Sequence, residues 1–114
     1  MINVTFVRRA ADRRIVSFAV EGHAKYAKPG KDIVCAGVSA ISVGTVNAIE
    51  ALAGEELPVK MKNGWLSSDI PALADEASDA RMQLLLESMA VMLDTIAKSY
   101  GKHVVIQELL HNPL

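Results

Sequence analysis

His23 and Cys35 are the side chains in this sequence best suited to nucleophilic chemistry, and eleven residues separate them. Cys35 is the sole cysteine. It falls three residues after Asp32, a residue type that suits a helix N-cap, so the sulfur belongs in the first turn of a helix. There the unpaired backbone N–H groups and the positive end of the helix dipole favour an anion, and a thiolate is one. The same N–H groups can receive the oxyanion formed when a thiolate attacks a carbonyl. His23 stands where a strand pattern ends, ahead of a loop able to fold it back against the helix start. An imidazole within reach takes the thiol proton and later hands it to a leaving amine. Each residue also has a plainer reading. A lone cysteine is often a small buried hydrophobe, and a lone histidine a surface or structural residue. Spacing alone does not bring the two together.

Three neighbours bear on the same chemistry. Asp32 either caps the helix or orients His23. The cap suits it better, because a carboxylate beside a thiol without an intervening imidazolium disfavours the thiolate. Ser39 lies one turn beyond Cys35 on the same helix face. It either donates to the sulfur and lines a pocket, or bonds its own preceding turn. Lys25, Lys28 and Lys31 either attract an acidic or ribosomal partner or keep an exposed loop soluble. No closely spaced pair of zinc ligands accompanies these residues, so no metal or other cofactor is expected.

The elements that must position these groups follow from periodicity. Ile2–Phe6 alternates apolar and polar residues, and Ile15–Val20 does so again with Val16, Phe18 and Val20 on one side; both predict strands. The charged stretch Arg8–Arg14 predicts the connection between them. From Glu21 to Lys31 neither period holds, and Pro29-Gly30 marks a turn. So long an irregular stretch in a small chain points to function or mobility. A helix is expected from about Ile33 to Ala53, burying Val34, Val38, Ile41, Thr45, Ala48 and Leu52, with Gly54 just past its end. Pro58–Asp69 predicts a second hairpin turning through Asn63-Gly64 as a type I′ pair. A second helix spans roughly Asp75–Tyr100, with Met82, Leu85, Leu86, Met89, Met92, Leu93, Ile96 and Ala97 on one broad stripe. His103–Leu109 is the last strand. The expected architecture is α+β: a mostly antiparallel sheet of about five strands with two long helices on one face.

At 114 residues the chain fits a single domain spanning residues 1–114. Half of its residues are hydrophobic, yet only Phe6, Phe18, Tyr26, Trp65 and Tyr100 are aromatic, so aliphatic side chains and methionine must build the core. A net charge of −1 argues against a general nucleic-acid binder. The charge is unevenly spread. Residues 1–31 hold seven Lys or Arg against two acids, and the remainder five against eleven. Such polarity either steers a charged partner or merely segregates solvated faces. A single cysteine and no recognisable signal peptide fit a reducing cytoplasm. The uncharged run Ile33–Ile49 is too short and too interrupted by Ser39, Ser42, Thr45 and Asn47 to imply a membrane role.

Gly22-His23-Ala24, followed by Gly30-Lys31-Asp32-Ile33-Val34-Cys35-Ala36-Gly37-Val38-Ser39, resembles the ribosomal-processing cysteine protease family called Prp. The order of elements along the whole chain is similar to that family's as well. The resemblance implies a homodimeric endopeptidase of Firmicutes-type bacteria that removes a short N-terminal extension from the precursor of ribosomal protein L-twenty-seven, cutting after an aromatic pair. It implies Cys35 as nucleophile and His23 as proton acceptor, with Gly22, Asp32 and Ser39 in support. It further implies that the loop of Ala24, Lys25, Tyr26, Ala27, Lys28, Pro29, Gly30 and Lys31 orders over the substrate. Three other readings of the residues stay open. One is a metal site at His23, Asp32 and Cys35. The others are a non-catalytic ribosome-associated protein and a redox-sensing thiol.

Overall fold

The computed structural model describes residues 1–112. Its elements run β1 (Ile2–Arg9), β2 (Ile15–Gly22), α1 (Ile33–Ala53), β3 (Lys60–Lys62), β4 (Trp65–Asp69), α2 (Glu76–Ser99) and β5 (Val104–His111). The five strands form one sheet in the order β3-β4-β2-β1-β5. Hairpins pair β1 with β2 and β3 with β4, and β2 with β4 is also antiparallel. Only β5 breaks this pattern, running parallel to β1 from Ile2↔Val104 to Arg9↔His111. The architecture is therefore α+β with a mostly antiparallel sheet.

Strand directions explain why both helices share a face. α1 leads from β2 to β3 and α2 from β4 to β5, and each joined pair is parallel but not adjacent. Parallel strands need a crossover, and crossovers of one hand place their helices on one side. The two helices pack on each other there. Ile2, Val4 and Phe6 of β1 meet Ile15 and Phe18 of β2 beneath Val34, Val38 and Ile49 of α1 and Met82, Leu86, Met89 and Leu93 of α2. Each fully buried side chain of this size contributes about 1.5–3 kcal/mol relative to exposure.

Several details depart from the periodicity. The charged stretch after Phe6 is not all connection, because Arg8 and Arg9 continue β1 and Arg8 is buried. Glu87 of α2 and Glu108 of β5 meet its guanidinium, which makes that burial tolerable. A bulge between Val7 and Arg8 sets Arg8 opposite Ile15 while Val7 stays opposite Ser17. That extra residue turns Ile15, rather than Val16, into the core. On α1 the buried stripe is Val34, Val38, Ser42, Thr45, Ile49 and Ala53, so Leu52 is exposed. Apolar residues occur on every side of the helix and two of its hydroxyls are buried, so composition does not choose its inner face. By length and composition α1 also passes as a membrane span, yet its Val34–Ile49 stripe is packed into the core.

Candidate active site

One end of the sheet gathers the C-terminus of β2, the start of β1, the β3–β4 turn and the start of β5, with the N-terminus of α1 beside them. Asp32 caps α1 as its Oδ1 accepts from Val34 N–H and Cys35 N–H, both at 3.0 Å. Its other oxygen accepts from Tyr26 N–H at 2.9 Å and Ala27 N–H at 3.2 Å. One carboxylate thus ties the loop to the helix. The Cys35 amide, with those of Ala27, Tyr26 and Val34, holds the Asp32 carboxyl below the usual carboxylate range. All its hydrogen bonds among the described residues go to backbone amides, and none to His23.

The cap changes the expected oxyanion donors. Val34 and Cys35 amides are engaged by Asp32, and Ala36 N–H bonds Asp32 O at 3.0 Å. The amide that does reach the sulfur comes from the segment just after β2. Ala24 N–H donates to Cys35 Sγ at 3.2 Å. Ala24 is itself buried, and its carbonyl accepts a 2.9 Å hydrogen bond from Nδ1 of His103. A carbonyl only accepts, so the proton sits on Nδ1. The ring of Tyr26 stands edge-on to both His103, with centroids 5.3 Å apart, and Tyr100, at 5.5 Å.

His23 is placed by two glycines. Gly22 has φ +97°, and a Cβ there would lie 2.3 Å from the Met1 carbonyl oxygen, so only glycine lets β1 and the end of β2 approach this closely. Its N–H bonds Gly64 O at 2.8 Å. Gly64, at φ +77°, lies directly against the His23 ring; a Cβ would come within 2.7 Å of Nε2. Asn63 does not share the positive φ, so this turn is not the type I′ pair expected. The imidazole makes no hydrogen bond among the described residues, to Cys35 or to anything else.

His23, Cys35, Ser39 and Asn63 line two adjoining hollows. The smaller, about 260 Å³, lies between α1 and the β3–β4 hairpin and is bounded by Val38, Trp65 and Leu66. The buried Ser42 hydroxyl lines it and has no hydrogen-bond partner among the described residues. The larger, about 770 Å³, lies under the loop, with Lys25, Pro29, Gly30, Lys31 and Ile33 along its wall. Sulfur and imidazole therefore stand where the two hollows meet, as a thiol attacking the middle of an extended chain requires. Lys28 enters through its carbonyl, which accepts from Lys31 N–H at 2.9 Å and closes a turn in the loop.

Sequence reasoning passed over two contributors. Asn63-Gly64 was legible as a turn but carried no sign of facing a histidine. His103 follows a helix end by a few residues, and nothing local links it to residue 24.

Comparison with known proteins identifies the family. The family model for cysteine protease Prp matches residues 1–105. The ribosomal processing cysteine protease Prp of Bacillus subtilis (strain 168) is 42% identical over 102 residues, covering 88% of this chain and 90% of that protein. The Staphylococcus aureus protein of the same name is 33% identical over 91 residues, covering 80% and 84%. A crystal structure of an essential ribosomal processing protease Prp from S. aureus, in complex with a covalently linked product peptide, superposes with a TM-score of 0.83 at 29% identity and covers 95% of this chain and 99% of its own. A Streptococcus mutans crystal structure matches with a TM-score of 0.82 at 32% identity, covering 97% and 96%. With sequence and fold in agreement along nearly its whole length, this chain belongs to the Prp family of cysteine proteases.

Proposed function

We propose that the chain is an endopeptidase in which Cys35 is the nucleophile and His23 the proton acceptor. Its substrate on this reading is the N-terminally extended precursor of ribosomal protein L-twenty-seven. Support comes from family membership and from relatives named for ribosomal processing, one of them solved with a substrate peptide. The single observation that carries the residue roles is the meeting of Cys35 and His23 at the junction of two hollows.

His23, seated against Gly64, turns its ring toward the sulfur and takes the thiol proton. The sulfur then attacks the scissile carbonyl, and the Ala24 amide, already at the sulfur, donates to the oxyanion. Imidazolium protonates the departing amine, the thioester forms, and water hydrolyses it. Lys28–Lys31, the part of the loop that Asp32 does not tie down, closes over the bound peptide. Gly22, Asp32 and Ser39 support the pair: Gly22 through its close approach to Met1, Asp32 through the cap, Ser39 from the hollow wall. The same reading includes a single domain, a homodimer and a cytoplasmic location.

The test is cleavage of the extended L-twenty-seven peptide by wild type, Cys35→Ala and His23→Ala, read by mass spectrometry. Both variants are expected to be inactive while retaining wild-type unfolding. Wild-type rates in either would end the assignment of that residue.

A further inference from the structure

We infer that His103 is a positioning residue for the thiol, acting through Ala24; this rests on Cys35 being the nucleophile. The geometry is a two-step chain. Nδ1–H of His103 donates to the Ala24 carbonyl at 2.9 Å, and the N–H of the same residue donates to Cys35 Sγ at 3.2 Å. Ala24 is 1% exposed, so solvent has little access to its own N–H and carbonyl.

Ala24 needs this hold because its surroundings are irregular. β2 ends at Gly22, and Lys25 takes a positive φ of 54°. Among the described residues no ladder hydrogen bond orients the peptide units on either side of Ala24. Downstream, Asp32 grips the segment at Tyr26 and Ala27. Upstream, the Met1 ammonium donates to the His23 carbonyl at 2.6 Å. Between these grips, His103 is the side chain that fixes residue 24. His103 is itself anchored at the start of β5: its N–H bonds Tyr100 O at 2.8 Å, its carbonyl accepts from Ile2 N–H at 2.8 Å, and Tyr26 covers the ring.

The consequence concerns charge. An N–H aimed at sulfur stabilises the thiolate more than the thiol, since a hydrogen bond to an ionised acceptor is the stronger. Once the carbonyl is attacked, the same N–H lies beside the new oxyanion. Releasing the Ala24 carbonyl frees the Ala24–Lys25 peptide unit. The Ala24 N–H is then held at its far side only through the His23 carbonyl, to which Met1 donates, so the N–H drifts from the sulfur and both steps weaken. Binding of the peptide in the hollows is untouched, because His103 lines neither.

The experiment compares wild type, His103→Ala, His103→Asn and Cys35→Ala. Iodoacetamide alkylation of Cys35 is followed across pH, alongside kcat and KM on the extended peptide and thermal unfolding. Asparagine places an amide N–H near the position of Nδ1 and keeps the hydrogen bond to Ala24. His103→Ala is expected to slow neutral-pH alkylation and to lower kcat, each by about tenfold, with KM within about twofold. His103→Asn is expected to restore most of both. Wild-type alkylation and kcat in His103→Ala would overturn the inference. So would an equal loss in both variants, which would assign the effect to ring packing against the tyrosines. Cleavage by Cys35→Ala would remove Cys35 as the nucleophile, whereas alkylation needs no peptide and still decides whether His103 acts on the thiol.

Discussion

Gly64 approaches the His23 ring so closely that a methyl group in its place would stand 2.7 Å from Nε2 and 3.2 Å from Cε1. Backbone and ring therefore share one contact surface, and the turn forms one wall of the imidazole's seat. A side chain at φ +77° is also strained. Gly64→Ala is expected to push the imidazole out of its seat and to cut peptide cleavage by about 100-fold, as misplacement of a reacting group by about 1 Å does. Alkylation of Cys35 at neutral pH should slow as well, because a displaced imidazole no longer takes the thiol proton. The paired measurement is decisive: full cleavage activity in Gly64→Ala would show that the turn does not position His23.

At the level of elements, Asp32 joins two functions that are separable by chemistry. One oxygen caps α1 and the other holds the loop at Tyr26 and Ala27. Asparagine is as good an N-cap as aspartate, but its amide nitrogen cannot accept from an N–H. Asp32→Asn is thus expected to keep the helix and release the loop. Circular dichroism should match wild type while cleavage falls about tenfold or more, the loop having lost two hydrogen bonds to a charged acceptor. Loss of helix with cleavage intact would reverse the assignment. The caps at Asp32 and Asp75 and the aliphatic stripe of α2 are local signals, which is why both helices were legible to within a residue or two. The inner face of α1 and the bulge at the start of β2 were not, because each depends on what packs opposite. Cys35 and His23 stood out by type and by the motif around them. The contacts of Gly64 with His23 and of His103 with Ala24 span 41 and 79 residues. No periodicity encodes such distances.

Across the whole molecule, the reactive groups occupy one end of the sheet and the principal ion pairs the other. Arg8 forks onto both oxygens of Glu87, at 2.6 and 2.7 Å, and its Nε donates to Glu108 at 3.0 Å. Arg14 grips Asp79 in the same two-pronged way, fastening β2 to the first turn of α2. Hydrogen bonding to Arg8 holds the Glu87 carboxyl below its ordinary range, and hydrogen bonding to Arg14 does the same for Asp79. Between the folded and unfolded values of such a group the unfolded chain binds more protons, so stability rises with pH through that interval. It is complete above the unfolded value and is lost as pH falls through the folded one. Glu87→Gln removes the charge and strands part of a buried guanidinium. Exposure of Glu87 keeps the cost at neutral pH to about 1–2 kcal/mol, below that of breaking a fully buried pair. Thermal unfolding of wild type and Glu87→Gln should therefore differ most near neutrality and converge in acid, as wild-type Glu87 takes up its proton. Below the unfolding temperature, neutral-pH cleavage should be the same in both, since the fork and the thiol lie at opposite ends of the sheet. A gap in unfolding temperature that stays constant into acid would mean that the Arg8 pair does not supply the acid-labile part of the stability.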